Sequence, residues 1–70
     1  MNELDVEIRE FIDGGADFGF ILSGLGNERH LTYEQVVTLL TENDTVDIDM
    51  LFEDVLYFKI GYLDASIEYF

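Results

Sequence analysis

Sixteen Asp and Glu side chains stand against three Lys and Arg in a chain of 70 residues, a formal net charge of −13. Repulsion among so many carboxylates opposes any compact state. In a polar chain it would leave the backbone unfolded. Here, however, 49% of the residues are hydrophobic, including six Phe and four Tyr, and acidic disordered tails are not built this way. The two facts together require a folded body that keeps its acids outside a real core and shows a strongly negative surface. The length allows one domain, residues 1–70, and a domain this short buries only a modest fraction of its surface. There is no Cys, so neither a disulfide nor a thiolate zinc site adds stability.

The hydrophobic pattern predicts an α+β fold: a small antiparallel sheet with one main helix at about 33–42. An all-α bundle is the alternative. Glu3 to Arg9 alternates acid and aliphatic, which places Leu4, Val6 and Ile8 on one face of a strand and Glu3, Asp5 and Glu7 on the other. The positions of Leu4, Ile8, Phe11 and Ile12 also suit a helix, but the strand is preferred. Asp13-Gly14-Gly15 signals a turn. Phe18 to Ser23 then makes a second strand, and the pair reads as a hairpin, followed by a loop from Leu25 to His30. Thr32-Tyr33-Glu34-Gln35 has the form of a capping box and starts a helix running from Tyr33 to about Glu42. Val46 to Met50 alternates again. Val55 to Ile60 and Ala65 to Phe70 read as further strands around Gly61, although Ile48 to Ile60 also fits a helical spacing. No internal repeat or linker is visible.

Catalytic chemistry finds little support. Nucleophilic catalysis needs an activating base. His30 is the only His, and Ser23 and Ser66 lie in apolar stretches without a motif. Gly24-Leu25-Gly26 lacks the Lys and the third Gly of a phosphate-binding loop and reads as a turn. A calcium-binding loop starting at Asp47 would need Gly at Phe52 and Glu at Phe58, so that match fails. The acids Asp44, Asp47, Asp49, Glu53 and Asp54 are dense enough to attract a divalent cation only weakly. Neither a cofactor nor an enzymatic activity is expected.

What remains is the acids themselves. Carboxylates on one face of a strand repeat about every 6.7 Å; phosphates advance about 3.4 Å per nucleotide along each DNA strand. A rigid row of acids therefore has a spacing of the same order as a phosphate backbone and suits Lys/Arg sites built for one. The candidate contact residues are Glu3, Asp5, Glu7, Asp44, Asp47, Asp49, Glu53 and Asp54. Tyr33, Tyr57, Tyr62 and Tyr69 are possible aromatic anchors, most of them expected in the core. A surface of this charge repels nucleic acid and anionic lipid. The expected partner is thus a basic protein, the expected location is the cytoplasm, and no signal peptide or membrane span is visible. The apolar stretch from Tyr57 to Phe70 also makes a homodimer conceivable.

In size, charge and lack of Cys, the whole chain resembles the small acidic DNA-mimic inhibitors of phages and mobile elements. That class includes anti-restriction proteins, anti-CRISPR proteins and uracil-DNA glycosylase inhibitors. The resemblance implies an inhibitor that occludes the nucleic-acid site of a nuclease, a glycosylase or an RNA-guided effector. It rests on no aligned motif, so it assigns no residue. A regulatory or antitoxin-like module that neutralises a basic protein without imitating DNA is the rival reading.

Overall fold

A computed structural model describes residues 3–70. Two helices lie on one face of a five-stranded sheet, an α+β arrangement in which the sheet dominates. The elements are α1 (Glu3–Gly14), β1 (Phe20–Gly24), β2 (Arg29–Leu31), α2 (Tyr33–Thr41), β3 (Val46–Phe52), β4 (Val55–Ile60) and β5 (Leu63–Tyr69). Every strand pairing is antiparallel and the spatial order is β2-β1-β5-β4-β3. The all-helical alternative and the helix over 48–60 are thereby excluded.

The largest departure from expectation is residues 3–14, which form a helix and not a strand. Phe11 is the physical reason. Strand alternation puts it on the acid side of the segment; helical spacing puts it with Leu4, Ile8 and Ile12, and Phe11 and Ile12 are then both buried. Burying two such side chains is worth roughly 1.5–3 kcal/mol each, against which local alternation is a weak preference. Val6 is the casualty and is left 42% exposed. Glu3 and Asp5 also fall in the first turn, where carboxylates favour a helix. The predicted single main helix is therefore two helices, α1 being the longer. The first hairpin is β1–β2, with Arg29 and His30 in a short edge strand where a loop was expected.

The remaining elements follow their local signals. Thr32 Oγ1 accepts from the Gln35 backbone N–H, and Gln35 Oε1 accepts from the Thr32 N–H, which completes the capping box of α2. The predicted strand at 18–23 starts only at Phe20, and the last strand runs from Leu63 to Tyr69. Gly24-Leu25-Gly26 is a turn in which all three residues have positive φ, 99°, 56° and 85°. At Gly24 a Cβ would also stand 2.6 Å from the Asp64 carbonyl of the neighbouring strand, so this glycine serves a bend and a close approach.

The core is one cluster built from Phe11 and Ile12 of α1, Val36 of α2, and Phe20, Leu22, Leu56, Phe58, Ala65 and Ile67 of the sheet. Residues directly opposite in antiparallel strands share a face. The pairs Leu22–Ile67, Leu56–Ile67 and Phe58–Ala65 thus place all the buried strand residues under the helices. No charged or polar residue is buried among the described residues.

Candidate functional site

The structure does not assemble the eight candidate acids into one patch; it distributes them among three places. Helical geometry splits the first group. Glu3 and Glu7 are four residues apart and share a flank of α1 with Glu10, whereas Asp5 turns to the other flank. Glu7 and Glu10 line a shallow cleft with Leu51, Glu53 and Tyr69. Packing thus brings two helix acids beside an acid some forty residues further along the chain, and Glu10 joins the site although the strand reading had omitted it. Its spacing of three from Glu7 was the signal.

The second group runs along β3, which forms one edge of the sheet. Asp47 pairs with Lys59, whereas Asp49 falls at a bulge between Ile48 and Met50 and has no cross-strand partner. The predicted alternation therefore breaks inside the strand. Asp47 and Met50, not Asp47 and Asp49, are the successive paired positions on the face away from the helices. Both acids are exposed. A bulge and two charges are also what keep an edge strand from pairing with another chain. Glu53 and Asp54 make the turn to β4, with Glu53 at φ 55°. From Asp47 to Glu53 the edge spans about 20 Å and leads to the Glu7–Glu10 flank.

The third place holds Asp44. It lies in a groove of about 990 Å³ between α2 and the β1–β2 hairpin, where Leu22, Leu31 and Leu39 give an apolar floor and Glu34 and Glu42 stand nearby. Asp44 thus lines a different concavity from Glu53, although it is only three residues from Asp47 in sequence. Among the described residues no three His, Asp or Glu side chains converge to hold a metal ion.

Of the basic residues, Arg9 lies on α1, four residues after Asp5 and on its flank, and the others lie on the sheet. Arg29 and His30 are on β2, the opposite edge strand. His30 is 4.0 Å from Glu28 and packs edge-on against Phe70. Lys59 bridges Asp64 at 3.8 Å, with both side chains largely in water, so the pair contributes little to stability. One edge of the sheet is thus strongly anionic and the other carries two of the few potential cations.

The tyrosines divide evenly. Tyr69 packs edge-on to Phe11 at 5.3 Å between ring centres. The Tyr33 hydroxyl donates to Asp13 Oδ1 at 2.9 Å and ties α2 to the end of α1. Tyr57 and Tyr62 are exposed. The hydrogen bond to the Asp13 carboxylate, assisted by desolvation and the negative charge of Asp13, raises the Tyr33 pKa above its ordinary value. The folded state thus holds this proton more tightly than the unfolded state. The contribution of the tie is fully present below the unfolded tyrosine pKa of about 10 and is lost as pH rises through the higher folded value. In an alkaline absorbance titration, Asp13→Asn should bring one tyrosine down toward the ordinary range. An unchanged curve would mean that the bond does not form in solution.

Compared with models of protein families, with curated proteins and with solved structures, the chain finds no match.

Proposed function

We propose that this chain is a non-catalytic inhibitor that binds a basic nucleic-acid-binding protein and covers its DNA or RNA site. The observation that carries this reading is the acidic strip along β3 and α1. Glu3, Glu7, Glu10, Asp47, Asp49, Glu53 and Asp54 supply seven of the sixteen acids, and the cations on or beside these elements are Lys59, opposite Asp47 in register, and Arg9, on the other flank of α1. An ordinary surface intersperses both signs. A strip of one sign on a rigid sheet edge instead steers a cationic groove toward it and displaces counterions from both surfaces on contact. Its length of about 20 Å is somewhat over half a turn of B-DNA, about 34–36 Å.

The test is a panel of purified targets: a restriction nuclease, a uracil-DNA glycosylase and an RNA-guided nuclease. Each is assayed for binding and activity with increasing amounts of the chain. The expected result is inhibition of one of them that competes with nucleic acid and weakens with salt. Binding that nucleic acid cannot displace would replace mimicry by neutralisation of a basic partner at another surface. No binding across the panel at low salt would remove the reading for these three classes.

A further inference from the structure

We propose that the face of the sheet turned away from the helices is the docking surface for this basic partner, with Met50, Phe52 and Tyr57 as its apolar centre. The inference rests on the reading above in taking the partner to be basic. It differs from that reading in assigning the affinity to apolar contact, not to the row of carboxylates.

Strand register defines the face. Met50 stands opposite Tyr57 and Phe52 opposite Val55, so the three named side chains lie on two adjacent strands. Leu51, Leu56 and Phe58 alternate with them and point into the core. Met50 is 49% exposed, Phe52 57% and Tyr57 41%, on a sheet whose two helices both pack on the other side. In a chain whose hydrophobic residues are needed inside a small core, three neighbouring large apolar side chains left in water mark an interaction surface. Aromatic and Met side chains are also the types enriched at the centres of interfaces.

The rim identifies the occupant. Asp47, Asp64 and Glu68 lie on this same face by register, and Lys59, between Asp47 and Asp64, is bridged to Asp64. His30, beyond Ile21 on β2, also faces this side. A second copy of the chain would set one acidic rim against another and bring two bodies of charge −13 together. A cationic surface with an apolar patch at its centre complements both parts. The acids then set approach rate and salt dependence, and the apolar centre sets how long the complex lasts. A pure phosphate mimic has no use for an apolar centre; a protein that grips its partner beside the nucleic-acid groove does.

Two arginine peptides of equal length and charge test this, one alternating Arg with Leu and the other Arg with Ser. Both are titrated into the full chain and followed by backbone amide NMR. The Arg–Leu peptide should bind about tenfold more tightly or better, a gain of about 1.4 kcal/mol, and should shift the amides of Met50, Phe52 and Tyr57. Tyr57→Thr, which keeps a strand-forming residue at an exposed position, should narrow the gap between the peptides. Equal affinities, or shifts centred on the α2 groove, would overturn the proposal while leaving charge-driven inhibition standing. Sedimentation showing a dimer that protects these amides would overturn it in favour of a second copy. If neither peptide binds at low salt, the basic-partner reading falls with it.

Discussion

Phe20→Ala is expected to leave most of the protein unfolded at 37 °C in low salt. The Phe20 ring is fully buried, lies 5.8 Å from the Phe11 ring, and rests so closely on Gly15 that a Cβ there would stand 2.4 Å from it. Removing such a side chain costs about 3–5 kcal/mol. A chain of this length has a total stability of roughly 3.5–10 kcal/mol, at 0.05–0.15 kcal/mol per residue. Self-repulsion at −13 pulls it toward the lower limit. Circular dichroism melts across a salt series separate the two effects. The wild-type Tm should rise from low to moderate salt as repulsion is screened, and salt should recover part of the folded population of the variant. A variant melting within a few degrees of wild type would mean that Phe20 is not central to the core. A wild-type Tm that stays flat or falls with salt would contradict the self-repulsion argument.

The second large effect belongs to the acidic strip. Reversing Asp47, Asp49 and Glu53 together to Lys should weaken binding to the inhibited enzyme about 100-fold, mainly through slower association, in line with the 10–10³ range of electrostatic steering. All three are exposed, so the far-UV spectrum should stay unchanged. The matched control reverses Glu34, Glu42 and Asp44 around the α2 groove. It changes the net charge equally but alters the rim of the α2 groove, with no residue of β3 changed. Its loss should be about tenfold or less, the share due to long-range charge alone. Equal losses in the two triple variants would show that only net charge matters and that β3 is not the contact.

The elements that the chain itself announced are those whose signals are local. The capping box at Thr32 and Gln35 closes within one turn and needs nothing from the rest of the molecule. Val46 to Met50 and Val55 to Ile60 read as strands from alternation and from aromatic and aliphatic runs, but the spacing over 48–60 also allows a helix, and only the sheet pairing decides for strands. Residues 3–14 show the opposite case. Their alternation favours a strand, and only the space over the sheet, filled by Phe11 and Ile12, makes the helix the lower-energy choice. The same error split the first acidic group, because Glu3, Asp5 and Glu7 share a face in a strand but not in a helix.

The acids were visible as residues but not as a surface. A charge excess in a chain with so many Phe, Tyr and aliphatic residues determines a folded core with carboxylates outside it, and composition alone suffices for that conclusion. Which carboxylates adjoin one another depends on strand order, register and the bulge at Asp49. Those are set by packing between segments far apart in sequence. Glu7, Glu10 and Glu53 meet only because α1 lies across β3. Met50, Phe52 and Tyr57 are left in water only because both helices chose the other face of the sheet. A hydrophobic side chain looks the same in sequence whether it is covered or not, and only the tertiary structure decides which face is covered.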